Sequence, residues 1–184
     1  TTPEGILLVA SEISLFTYSP NSNDFTQVDI LTNRLPPEVK SILAEEELTW
    51  IGTYGHGIYV LDNQTKTLYD LKKNNPLNVL ISAEYLFDIK RYGENYWFAT
   101  ELGAYVWNIN TKELRHFNTD TSPNLIGNGV RSIQLDIAGN IWLGTSVGLT
   151  IINKGLNSTK HVSLEGGIGN SAQQSDAGIF LLNI

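Results

Sequence analysis

An all-β fold, made of β-propeller blades with four antiparallel strands each, is predicted by three observations. First, a Trp-centred strand recurs as Trp50-Ile51-Gly52-Thr53, Trp97-Phe98-Ala99-Thr100 and Trp142-Leu143-Gly144-Thr145. Second, the tryptophans stand 47 and 45 residues apart, close to the roughly 40–50-residue period of a propeller blade. Third, only short apolar runs separated by Gly, Asn, Asp and Ser clusters lie between them, with no sustained helical period.

The elements follow in order. Ile6 to Ser11 has the shape of the Trp strand without its Trp. Leu15 to Tyr18 and Phe25 to Val28 are strands around a turn cluster at Ser19 to Asp24, so the chain begins inside a blade. In the second unit Val39 to Leu43, Thr49 to Thr53, Ile58 to Leu61 and Thr67 to Leu71 are four strands. Their turns are Glu45-Glu46-Glu47, Tyr54-Gly55-His56-Gly57 and Asp62 to Lys66. The third unit repeats this with Tyr85 to Ile89, the Trp97 strand, Gly103 to Trp107 and Leu114 to Phe117. The fourth has Val130 to Asp136, the Trp142 strand, Gly148 to Asn153 and Lys160 to Leu164. Approximate blades are 1–30, 31–72, 73–118 and 119–165, all in one propeller segment over 1–184. Residues 166–184 read as a partial blade or closing strand, with Phe180 near a Trp position. At about 45 residues per blade the chain holds about four blades and is expected to be part of a larger propeller.

Trp50, Trp97 and Trp142 are expected to anchor contacts between blades, since each can bury about 150–250 Å². Gly52 and Gly144, two residues further on, leave room for a close backbone approach. An incomplete ring would expose apolar terminal faces. The remaining blades of a longer chain, or a second copy, are therefore expected partners.

The 184 residues are 41% hydrophobic and 17% charged, which is globular rather than disordered. The net charge of −7 argues against nucleic acid and against an anionic membrane surface. The apolar runs are too short to insert directly in a bilayer. Without cysteine there is no disulfide, thiolate metal site or thiol nucleophile. No methionine is present, so the chain is expected to be processed or cut from something longer, and an exported parent would carry its signal upstream of Thr1.

The fourth unit carries Val130-Arg131-Ser132-Ile133, Asp136, Gly139-Asn140, Ile141-Trp142-Leu143-Gly144-Thr145, Gly148-Leu149 and Asn153. This resembles the two-component regulator propeller repeat nearly throughout. Val39 to Asp62 resembles it too, with Glu45-Glu46-Glu47 in place of the Asp and Gly-Asn turn. Ala83 to Asn108 is looser, with Ala99 for Gly. The resemblance implies the periplasmic sensor region of a hybrid two-component histidine kinase. It further implies an inner-membrane parent and detection of carbohydrate fragments; the scattered titratable residues argue separately against catalysis by this segment.

Several local patterns suggest chemistry and fail on context. Gly144-Thr145-Ser146-Val147-Gly148 is a literal G-x-S-x-G, but the nucleophile elbow needs a strand-to-helix turn. Gly166-Gly167-Ile168-Gly169 lacks the helix of a dinucleotide loop. Glu45-Glu46-Glu47 lacks the alternating ligands of a calcium loop and reads as a solvated turn. His56, His116 and His161 are too scattered for zinc. His56 stands out for its place after a Trp strand, and His116 is expected on an outer strand. Asn63 and Asn157 head glycosylation sequons that read as ordinary turns. No catalytic residue, metal or cofactor is expected.

Propeller geometry brings certain loops to one face: 32–38 with 54–57, 74–83 with 101–102, and 118–129 with 146–147. An oligosaccharide would need aromatic faces and planar hydrogen-bonding groups there. Arg34, Tyr54, His56, Asn78, Glu101, Asn128 and Arg131 are the candidates, and the simpler reading of each is a loop residue without a ligand. The alternatives to a ligand-binding sensor are a protein-interaction or dimerisation scaffold, and a propeller lyase or hydrolase.

Overall fold

The computed structural model describes residues 5–11, 15–28 and 38–163, and the regular elements in them are all strands. β1 (Leu7–Ala10), β2 (Leu15–Ser19) and β3 (Asp24–Gln27) form a three-stranded antiparallel sheet. β4 (Val39–Ala44), β5 (Leu48–Thr53), β6 (Ile58–Asp62) and β7 (Leu68–Asp70) form the second sheet, in that order. The third is β8 (Leu86–Tyr92), β9 (Asn95–Thr100), β10 (Gly103–Asn108) and β11 (Leu114–Phe117). The fourth is β12 (Val130–Leu135), β13 (Ile141–Thr145), β14 (Gly148–Ile152) and β15 (Thr159–Ser163). These are up-and-down sheets of the propeller-blade kind. The tail expectations for 166–184 and the Gly166 loop lie outside the described residues. The chain divides into two compact units, Thr1–Ile89 and Lys90–Ile184.

In the N-terminal unit the first two sheets share a core of Leu15, Ile51 and Leu61, flanked by Ala10, Val28, Val39, Ile42, Tyr59 and Leu68. Trp50 is fully buried on β5. Ser41 of β4 accepts a hydrogen bond from the Ile89 amide of β8 at 3.0 Å. The serine of the V-x-S-I run thus ties one inner strand to the next. A Cβ on Gly52 would stand 2.5 Å from Leu86 Cδ2, so the glycine admits the close approach of β8.

In the C-terminal unit β9 is buried along both faces, whereas β14 alternates between buried and half-buried. The first burial pattern goes with the near-continuous apolar run Tyr96-Trp97-Phe98-Ala99. Trp97 is accordingly buried and stacks on Phe117, with centroids 6.0 Å apart. Trp142 is half-buried, although it holds the same place in its repeat.

Side-chain clamps fix the hairpins. Thr53, Thr100 and Thr145 end the Trp strands and are fully buried. Their hydroxyls donate to the carbonyls of Gly57 (2.7 Å), Gly103 (2.8 Å) and Gly148 (2.9 Å). At the next hairpin Asp62, Asn108 and Asn153 each accept two backbone N–H groups through one side-chain oxygen. This Asx chemistry explains why Asp or Asn stands at or just after the end of the third strand in these three sheets.

The β12–β13 turn is closed by Asp136. Its carboxylate accepts from the Trp142 indole N–H (2.9 Å), the Asn140 side chain (2.9 Å), and the amides of Asn140 (2.8 Å) and Ala138 (2.9 Å). The indole bond first, then the Asn140 bonds, lower its pKa from 3.8 to about 2. The folded value is the depressed one. The stabilisation is therefore complete above the unfolded pKa of 3.8 and is lost as pH falls through about 2. Urea titrations between pH 5 and about pH 2 should show a falling midpoint. Asp136→Asn should flatten that dependence, and an equally steep acid limb in the variant would remove Asp136 from this role. In the second sheet the Asn63 side chain does comparable work, donating to the Glu45 carbonyl at 2.8 Å and accepting from Thr49 at 3.1 Å.

Candidate functional site

In the N-terminal unit the β5–β6 turn and the chain entering β8 come together at one end of the strands. The Glu84 carbonyl accepts from the amides of Gly55 (3.1 Å) and Gly57 (2.9 Å), and Tyr54 bridges to Tyr85. Gly55 and Gly57 have φ of 95° and 79°, which glycine takes without strain. The turn is thereby held as a platform for Tyr54.

Three half-buried rings meet there. Tyr54 packs edge-on against Tyr85 at 4.5 Å and 71°, and against Phe87 at 6.1 Å and 62°. The Lys40 ammonium stands 5.5 Å from the Tyr54 centroid, within cation–π range. Register slips between Val39 and Ser41, making Lys40 the extra residue of a β-bulge. A bulge re-aims its side chain. Lys72 and Glu84 form an ion pair of 3.1 Å nearby. His56 is exposed at the tip of the same turn.

The other candidates fall in different places. Arg34 lies outside the described residues. Asn78 is exposed at φ 54° in a loop whose ends are held by Asn75, bonded to Val79 through both side-chain atoms. Its conformation suits Asn in a tight turn. Glu101 is half-buried in the β9–β10 turn. Asn128 accepts from the Thr119 amide at 2.8 Å, which closes the loop over 118–129. Arg131 is the bulge residue of β12, the counterpart of Lys40. Tyr54 and His56 thus share one turn, and Asn128 and Arg131 flank the start of β12.

Ser146 is exposed between two strands, in a turn held by Thr145. That is not the strand-to-helix setting of a nucleophile elbow. His116 stacks on Tyr105 at 4.0 Å and lies 2.9 Å from the Leu102 carbonyl. His161 lies 3.0 Å from the Asn124 carbonyl. Each sits on a fourth strand and contacts a loop. Among the described residues no cluster of three or more His, Asp or Glu could hold a metal.

Lys40, Tyr85 and Phe87 were absent from the sequence candidates. The repeat itself carries a signal for two of them. Aligning Leu86-Phe87-Asp88-Ile89 with Val39-Lys40-Ser41-Ile42 and Val130-Arg131-Ser132-Ile133 puts Lys40, Phe87 and Arg131 at one variable position beside the loops. The arrangement suits non-covalent binding, with an aromatic wall, a cation and polar edges.

The two component regulator propeller model matches residues 124–147, which hold the V-x-S-I strand, the Asp136 turn and the Trp142 strand. Among curated proteins, Histidine kinase P4 of Formosa agariphila is 27% identical over 146 residues, 77% of this chain and 10% of its own length. Among solved structures, the extracellular domain named for a hybrid two component system of B. thetaiotaomicron superposes with a TM-score of 0.70 at 20% identity. That match covers 89% of this chain and 24% of the other. A second such domain from the same organism gives 0.66 at 16% identity, covering 86% and 21%. The chain therefore spans about a tenth of the curated relative and under a quarter of these two structures. These likenesses establish the propeller fold, and residues 124–147 match the regulator propeller repeat. No helix among the described residues is long and apolar enough to cross a membrane.

Proposed function

We propose that this propeller segment, with its regulator repeat at 124–147, is part of a non-catalytic extracytoplasmic sensor. In this reading it detects carbohydrate fragments and signals to a histidine kinase in an inner-membrane, periplasm-facing parent. The repeat and the names of the similar proteins support the signalling half of the reading. One observation carries the ligand half: the half-buried Tyr54, Tyr85 and Phe87 rings beside the Lys40 ammonium. A pyranose presents C–H faces to such rings and hydroxyls to the polar rim, the usual division of labour in a small-molecule site. His56 and Asn78, in the same unit as Tyr54, stay as rim candidates of this reading, and Glu101, Asn128 and Arg131 stay as separate candidates within the C-terminal unit.

A thermal-shift panel of oligosaccharides on the parent sensor region tests this. A ligand at a hundredfold excess over Kd contributes about 2.7 kcal/mol, or several degrees in Tm. Tyr54→Ala should abolish that shift and leave the unliganded protein folded. Absence of a shift with every glycan would remove the carbohydrate reading. It would favour a protein-binding face instead, for which the exposed Leu102 and Val147 at two turn tips speak.

A further inference from the structure

The C-terminal unit carries a hollow at its β8–β9, β12–β13 and β14–β15 turns. It has a volume of about 390 Å³ and is lined by Tyr92, Asn95, Trp97, Ile141, Lys154 and Leu156 among others. Ring-sized ligands occupy clefts of about this size. A smaller hollow of about 160 Å³ adjoins it, sharing Asn95 and Leu156 and adding Arg115 and Glu113.

The hollow is built rather than incidental. Tyr92, at the end of β8, accepts a hydrogen bond from the Leu135 amide of β12 at 3.1 Å. The β14–β15 turn is closed by Asn153, bonded to Asn157 and Ser158. Arg115 donates to the Leu156 carbonyl at 2.7 Å, pinning that turn to β11. Leu156 is held at φ 55°, where a branched apolar residue is strained. Strain of this kind concentrates at ligand clamps, and Leu156 stands where the two hollows meet.

The donors are arranged unevenly. Asn95 uses its side-chain oxygen to accept from Asn108 at 2.8 Å, which turns its two N–H donors to other work. The Lys154 stem passes close over Gly139, where a Cβ would be 3.1 Å from Lys154 Cδ. No ion pair or hydrogen bond engages its ammonium among the described residues. Leu135, Ile141 and Leu156 supply an apolar wall.

The geometry points to a binding site for a ring-bearing monocarboxylate, its carboxylate on Lys154, its ring against Ile141 and Leu156, and a polar substituent on Asn95. A carboxylate alone would leave the wall uncovered. A neutral ring would leave the ammonium unmatched.

The test is a titration of the 184-residue chain, followed by amide and indole NMR shifts, with four probes. Glucuronate and cyclohexanecarboxylate carry both features, glucose only the ring, and acetate only the charge. Saturable shifts at Trp97, Asn95 and Lys154 are expected with at least one of the first two and with neither control. Lys154→Ala, at an exposed position, should weaken that binding about tenfold or more, while Lys160→Ala on β15 should not. Equal binding of glucose or acetate, an unchanged affinity in Lys154→Ala, or no saturable shift with either ring carboxylate overturns the assignment. Because Tyr54 and Trp97 report separately, loss of this site leaves the carbohydrate reading at Tyr54 untouched, and the converse holds.

Discussion

Trp97→Ala is expected to cost about 3–5 kcal/mol, the range for truncating a fully buried large aromatic. Trp97 is 1% exposed, lies on a strand buried along both faces, and stacks on Phe117 at 6.0 Å and 14°. Its removal takes away a large apolar surface and opens a cavity that the two-sided packing cannot collapse. In a chain of this length the loss corresponds to a fall in Tm of roughly 6–20 °C. Trp142→Ala, at the equivalent repeat position, should cost less, about 1–3 kcal/mol. That indole is half-buried and is held by its N–H bond to Asp136 at 2.9 Å. Urea unfolding followed by far-UV circular dichroism compares the two without relying on tryptophan emission. Equal losses would mean that the repeat position, and not burial, sets the cost.

Gly103→Ala should destabilise by about 2–4 kcal/mol, combining backbone strain with overpacking. Gly103 has φ of 126°, outside the range an L side chain adopts readily, and a Cβ there would run into the Phe117 main-chain carbonyl. A backbone atom cannot rotate away. The Ala104–Phe117 pairing between β10 and β11 must therefore open. Gly93→Ala is the control. Its φ is 60° with nothing within 4 Å of the added carbon, so only the left-handed penalty of about 1–2 kcal/mol applies. Denaturation midpoints of the two variants decide the matter, and a Gly93 loss as large as that of Gly103 would discard the steric explanation.

Much of the fold was legible because propeller strands are local. Hairpins pair neighbours in the chain, so Trp50, Trp97 and Trp142 mark successive sheets by spacing alone. The Asp or Asn closing each third strand sits within a few residues of the amides it binds. The same locality separates Ser146 from a nucleophile elbow, since strands stand on both sides of it. Tyr92 is a case where local reading fell short. The sequence ends the first strand of the third unit at Ile89, yet β8 continues through Tyr92 and its hydroxyl accepts from the Leu135 amide.

The sites were less legible, because they join residues distant in the chain. Tyr54 was among the candidates, but its partners Tyr85 and Phe87 lie about thirty residues on. Lys40 joins them only through a bulge that no spacing rule reveals. Asn78 and Asn128 carry suitable side chains for sugar recognition; Asn78 stands at φ 54° and the Asn128 side chain accepts from the Thr119 amide, neither of which the sequence reveals.

Read alone, the sequence determined the all-β class, the order of the strands among the described residues and the places of the turns between them. These depend on alternation and turn residues, which act over a few positions. Only the tertiary structure decided which tryptophan is buried on both sides and which glycine admits Leu86. It also decided which side chains gather around Tyr54 and which around Lys154. Those outcomes depend on how one sheet lies against the next within each unit, where close packing, rather than propensity, selects the contacts.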